Sequence, residues 1–234
     1  MKKLSLLVIV TIFISFSFIS NIRAEKMTLI DANKIIDDLK AEIKQKPKDI
    51  GARIELGGTY FYLQEYELAK NEFENVIEID NKNAIAHYNL GKVLITMKHI
   101  DGGVKECEQS LELGLDDINV YQTLAQIYLN RRELDKSLKM YENIKRLNPK
   151  DDRAYFACGV VYIGLKDGWK AREEFKKAVE LNPKNAEAHY ELGWLYADYE
   201  PEYARQELEK TLELNPNHQE AKKELERLKN KKSK

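Results

Sequence analysis

A 34-residue step runs through most of this chain and limits what it can fold into. Gly57, Gly91, Ala125, Gly159 and Gly193 stand 34 residues apart, and so do Tyr60, Leu94, Tyr128, Tyr162 and Tyr196. Leu56, Leu90, Leu124, Cys158 and Leu192 keep the same step. Ala69, Gly103, Ser137 and Ala171 follow it, and Ala204 then arrives one residue early. Phe73, Cys107, Tyr141 and Phe175 behave alike, with Leu208 one early. A fixed period of this length marks stacked supersecondary units, each leaning on its neighbours, and argues against a globule around one irregular core.

Within a unit the apolar and small residues recur at helical spacing. Tyr155, Cys158, Gly159 and Tyr162 form one stripe, and Ala171, Phe175, Ala178 and Val179 form a second. Lys166, Asp167 and Gly168 separate the two, so the unit reads as helix, turn, helix. The small residue on the first helix admits the second helix closely, and the aromatic residues fill the remaining groove. Pro47, Pro149 and Pro183 share one register, with Pro216 one residue early, at unit boundaries where a proline ends one helix and opens the next. No proline falls inside a predicted helix.

The step, with Tyr155-x2-Cys158-Gly159-x2-Tyr162, Ala171-x3-Phe175 and Pro183, resembles the tetratricopeptide repeat. So does the set His189-x2-Leu192-Gly193-x2-Tyr196, Ala204-x3-Leu208 and Pro216. The resemblance implies an all-α fold, a right-handed superhelical solenoid of helix-turn-helix repeats. It places five repeats at 50–83, 84–117, 118–151, 152–185 and 186–218. The second departs most from the pattern, with Gly103, Cys107 and Ser110 at packing positions. The fifth lacks one residue in its turn, and Pro201 is expected to start its second helix. Residues 25–49 are expected to hold an N-terminal capping helix, with Ile35, Ile36, Leu39 and Ile43 on one side. Residues 219–234 are expected to form a C-terminal capping helix and basic tail, with Ala221, Leu225 and Leu228 facing the array.

Residues 1–24 read differently. Lys2 and Lys3 precede a 16-residue apolar run from Leu4 to Ile19, and polar residues resume before Ala24. A basic stretch, an apolar stretch and a small residue describe a secretory signal. The run is shorter than the ~20 residues that span a bilayer comfortably. Ile22 occupies a position where cleavage favours a small residue, so a cleaved signal and an uncleaved anchor both remain open. Either form predicts an exported chain in the periplasm or cell envelope, touching membrane only through this segment. Residues 25–218 carry 28 basic against 36 acidic side chains, net −8, whereas the last 16 residues carry net +4. An acidic body has no bulk attraction for nucleic acid.

Catalytic chemistry is not found in the pattern. Ser110 and Ser137 fall at packing positions. Cys107 and Cys158 do too, in non-adjacent repeats, and are expected to be buried free thiols. His87 and His189 are equivalent positions in two repeats, which favours packing over metal ligation. No phosphate-loop or dinucleotide motif occurs. The expectation is a chain that is no enzyme and needs no cofactor or metal.

The resemblance implies a partner protein or extended peptide held on the concave face, which the first helices line. Mapped onto this chain, that face offers Ile54, Gly58, Phe61 and Tyr62, then Tyr88, Lys92, Ile95 and Thr96. Next come Gln122, Gln126, Leu129 and Asn130, then Arg153, Phe156, Val160 and Ile163, and finally Glu187, Tyr190, Trp194 and Asp198. Phe61, Ile95, Leu129 and Ile163 also suit packing between helices. The candidate partner-binding residues are Tyr62, Tyr88, Lys92, Gln122, Gln126, Asn130, Phe156, Tyr190 and Trp194. Rings supply contact area with water-tolerant tips, and amides match a peptide backbone. Ile54 and Gly58 stand where some relatives grip a C-terminal carboxylate, which speaks against that mode. The alternative is a structural subunit or assembly factor of a pilus, secretion or outer-membrane assembly machine, bound through the convex side.

Overall fold

The computed structural model describes residues 29–232; the signal-like segment and the last two residues of the tail lie outside the described residues. Twelve α-helices and no strand occur among the described residues. They are α1 (Leu29–Gln45), α2 (Ile50–Tyr62), α3 (Tyr66–Ile79), α4 (Ala84–Thr96), α5 (Ile100–Glu112), α6 (Ile118–Asn130), α7 (Leu134–Leu147), α8 (Asp152–Gly164), α9 (Gly168–Leu181), α10 (Ala186–Tyr196), α11 (Pro201–Leu214) and α12 (Gln219–Lys232). The chain divides into two compact units, one ending at Asp116 and the other starting at Asp117. The first holds α1 and the pairs α2/α3 and α4/α5. The second holds the pairs α6/α7, α8/α9 and α10/α11, closed by α12. Within each unit every helix packs on the next, and the two helices of a pair share the most extensive contact.

The small residues of the 34-residue step explain that pairing. A Cβ added to Gly57 would stand 2.8 Å from the Phe73 ring, and one added to Gly159 would stand 2.5 Å from the Phe175 ring. At Gly193 it would meet Leu208 at 2.6 Å. The second repeat uses two glycines: a Cβ on Gly91 would lie 2.8 Å from the Gly103 carbonyl oxygen, and one on Gly103 would lie 2.7 Å from the Gly91 carbonyl oxygen. There the backbones themselves touch, so Gly103 and Cys107, which look weak as helix formers, belong to the tightest pairing. Ala125 replaces glycine in the third repeat, and the buried Ser137 hydroxyl donates to its carbonyl at 2.9 Å. Around these approaches sit Leu56, Phe73 and Val93 in the first unit, and Phe175, Leu192 and Leu208 in the second, all 0–2% exposed.

The ends of the helices repeat as strictly as the core. Asp49, Asn83, Asp117, Asp151 and Asn185 each precede a first helix and accept from its first-turn backbone N–H groups. His218 takes this place for α12, its Nδ1 accepting from the Ala221 N–H at 3.2 Å. Gln64, Lys98, Arg132 and Lys166 close the first helices in the left-handed region, with φ of 63°, 69°, 59° and 62°. The next residue's N–H then reaches back five residues, as from Glu65 to Tyr60. The fifth repeat has no such residue, so the position it lost is the left-handed one, and Pro201 opens α11 directly. Asp80, Asn148, Asn182 and Asn215 close second helices and accept from the N–H two residues on. Gly114, at φ +92°, replaces that side chain at the boundary between the two units.

No helix among the described residues is long and apolar enough to cross a membrane. Gly91→Ala is expected to cost about 1–3 kcal/mol, because a backbone carbonyl cannot yield to the new methyl. Gly102→Ala on the same pair meets only Leu94 at 3.6 Å and should instead gain about 0.5 kcal/mol from helix propensity. Urea unfolding of the two variants checks the contrast.

Candidate functional site

Most of the polar groups that look chemically available are engaged in holding helix pairs together. Arg53 donates to Glu72 at 2.7 Å and to the Pro47 carbonyl at 2.9 and 3.2 Å. His87, 34 residues on, places Nδ1 2.6 Å from Glu106 and Nε2 3.2 Å from the Asn81 carbonyl. His189 repeats this with Glu207 at 2.5 Å and the Pro183 carbonyl at 3.1 Å. In the fourth repeat the cation comes from the preceding second helix: Lys145 donates to Glu174 at 2.7 Å and lies over the Tyr155 ring. Burial is the largest single effect on the Lys145 ammonium and lowers its pKa, but the bond to Glu174 together with the charges of Glu174, Glu142 and Cys158 more than offsets it, so the pKa is raised. The two histidines therefore fasten a first helix to its own second helix. Both carry the packing role that their equivalence in the sequence indicates.

Cys107 and Cys158 are free and buried, and burial pushes each thiol up to about 12.

The sequence-predicted partner-binding residues separate into groups. In the first unit Tyr62 is 45% exposed. Tyr88 and Lys92 are half-buried, and the Lys92 ammonium lies over the Phe61 and Tyr88 rings at 5.2 and 5.5 Å. In the second unit Gln126 and Asn130 are exposed and joined at 3.5 Å. Gln122 and Gln126 line a cleft of about 390 Å³ with Arg153, Ala157 and the buried Asp151. Arg153 is largely exposed and folds back to donate to Asp151 at 3.2 Å. Two predicted residues stand elsewhere. Phe156 tilts against the core ring of Phe175 at 5.4 Å, and Tyr190 is covered by the His218 ring at 4.6 Å.

Trp194 is 48% exposed and belongs to a second cleft, of about 670 Å³, with Trp169, Arg172, Tyr199 and Arg227. Repeat spacing does not mark this grouping, although one signal in the sequence points to it. The second position of α3, α5, α7 and α11 is Glu67, Asp101, Asp135 and Glu202, acids that suit a helix N-terminus. In α9 that position is Trp169.

Comparison with known proteins agrees with the repeat fold. A family model described as TPR repeat matches residues 57–97 and 170–198, and one described as tetratricopeptide repeat matches 118–151. No curated protein sequence matches the chain. Among solved structures, YrrB, described as a TPR protein with an unusual peptide-binding site, is similar at TM-score 0.71 and 22% identity, over 80% of this chain and 96% of that one. MamA is similar at TM-score 0.59 and 25% identity, over 67% of this chain and 92% of that one. The C-terminal part of a TPR repeat-containing protein from Cytophaga hutchinsonii gives TM-score 0.65 and 17% identity, over 85% and 80%.

The His189 clamp has a pH signature. Both ring nitrogens face acceptors, the Glu207 carboxylate and a carbonyl, so the doubly protonated ring satisfies both. The bond to Glu207 raises the His189 pKa above its ordinary value, against the opposing effect of burial. The folded value lies above the unfolded one, so this stabilisation is complete below about pH 6.5 and is lost as pH rises through the folded value. Unfolding midpoints measured from about pH 6 to about pH 9 should fall, and fall less in His189→Gln. An equal fall in both proteins would remove the clamp from the account.

Proposed function

As the chain belongs to the tetratricopeptide-repeat family, we propose that it holds an extended segment of a partner protein against the exposed face of its first helices. Its repeats and its structural relatives support a protein–protein interaction scaffold. The observation that carries the finer reading is the cleft of Gln122, Gln126, Arg153 and Ala157 in the second unit. Two adjacent first helices present amides four residues apart on one side and a guanidinium on the other. An amide offers a donor pair and an acceptor, which is what an extended backbone with alternating N–H and C=O groups needs. The small side chain of Ala157 leaves room for that backbone to approach.

Nothing in this cleft requires turnover by the chain itself, and the proposed role is non-catalytic. YrrB is described as having a peptide-binding site, which agrees with the reading through shared fold. The composition of residues 1–24 supports export, and the proposed location is the periplasm or cell envelope, with a partner there.

Panning the full chain against a library of extended peptides tests the binding. The combined change Gln122→Ala, Gln126→Ala and Arg153→Ala should weaken the selected peptides by about tenfold or more, the loss of two or three polar contacts at an interface. Unchanged binding would remove this face from the proposal. Fractionating cells and sequencing the N-terminus of the native protein tests export: an envelope protein starting near residue 25, or one retained in the membrane with Met1 intact, agrees, and a soluble cytoplasmic chain does not.

A further inference from the structure

We propose that the cleft formed by α9, α10 and α12 binds an extended partner segment in which an acidic side chain neighbours an aromatic one. Arg172 takes the carboxylate, and Trp169, Trp194 and Tyr199 take the ring. The proposal deepens the reading of the chain as a binder of extended segments and rests on it.

Three observations point here. Six large hydrophobic side chains are exposed among the described residues, and three of them line this one cleft: Trp169 at 65%, Trp194 at 48% and Tyr199 at 78%. Aromatic area gathered on one surface is what contact sites accumulate.

The charges in the cleft are unequally satisfied. Arg227 donates to Glu224 at 2.6 and 2.9 Å and to Asp198 at 3.1 Å, so both carboxylates of the lining are engaged. Arg172 has no carboxylate partner among the described residues. Its guanidinium lies over the Tyr196 and Tyr199 rings at 5.3 and 5.9 Å, half-buried and held in place. The two indole N–H groups add donors. The wall thus offers donors and ring faces, and both of its carboxylates are paired with Arg227. An occupant has to bring a negative acceptor and apolar area, and a carboxylate pairs with a planar guanidinium in the geometry that arginine favours.

The third observation is the break in register at Trp169. Four sister helices carry Glu or Asp at this position, where an acid suits the helix N-terminus. Trp169 gives up that charge, removes a repulsion for an anionic ligand and places a ring at the rim.

The protein supplies its own reporter, since Trp169 and Trp194 are the chain's two tryptophans and both line the cleft. The probe is a peptide with blocked ends and a central Asp-Phe pair, followed by tryptophan fluorescence and by calorimetry on the full chain. A saturable shift is expected, and replacing the probe's Asp by Asn should weaken it about tenfold, the usual scale of a charge-assisted bond. Arg172→Gln should weaken the original probe about as much and leave the Asn probe unaffected, as a direct pair requires. Trp169→Glu should lose binding by calorimetry while its melting temperature stays level or rises. No saturable shift, equal binding of the Asp and Asn probes, or tighter binding of a blocked proline-rich or basic peptide would overturn the proposal. If the probe fails while library peptides still depend on Gln122, Gln126 and Arg153, the broader reading stands without this cleft.

Discussion

The contact on which the rest depends is the close approach of two helices at one small residue per repeat. Where Gly57, Gly159 and Gly193 sit, the partner side chain rests almost on the backbone; where Gly91 faces Gly103, carbonyl oxygens occupy the space a methyl would need. Short separation brings many carbon atoms into dispersion range and shuts water out of the pair. It also explains why the neighbouring positions alternate between Phe, Tyr, Leu and Cys without loss of the step. Their volumes adjust to the gap, whereas the small residue sets it. The Ser137 hydroxyl reaching the Ala125 carbonyl at 2.9 Å is the same approach expressed as a hydrogen bond.

Polar groups then fix each pair in register. The Arg53, His87 and His189 clamps tie a first helix both to the carboxylate of its own second helix and to the carbonyl of the preceding turn. Glu207 also takes a hydrogen bond from the Tyr203 phenol, whose pKa is pushed up by burial and by that bond. These carboxylates are occupied in holding the structure. What stands open is amide-rich in one cleft, and in the other aromatic with Arg172 and the carboxylate-paired Arg227.

Much of this was legible in the residues. The five small-residue landmarks and the helix pairs follow from spacing, and the mapped first-helix positions include Tyr62, Gln126 and Trp194, which the structure leaves exposed. The left-handed residues were not legible: Gln64, Lys98, Arg132 and Lys166 carry no glycine or asparagine signal, because the hydrogen bond of the following residue holds them in place. The capping residues from Asp49 to Asn185 recur at the same step, where the prolines beside them are the stronger signal. Phe156 and Tyr190 lie on the first helices as expected, and each also meets a ring, the core Phe175 and the capping His218. Which side of a helical stripe a ring turns to depends on its neighbour's volume, and spacing does not encode that. Trp169 and Arg172 come from a second helix, so a search confined to first helices misses them.

Native-state hydrogen exchange, read residue by residue, tests the central contact most directly. Protection within each unit should peak at residues 57, 91, 125, 159 and 193 and their second-helix partners, recurring at the 34-residue step and falling toward α1 and α12. Protection that follows helix propensity alone, or that is greatest in the terminal helices, would contradict the account.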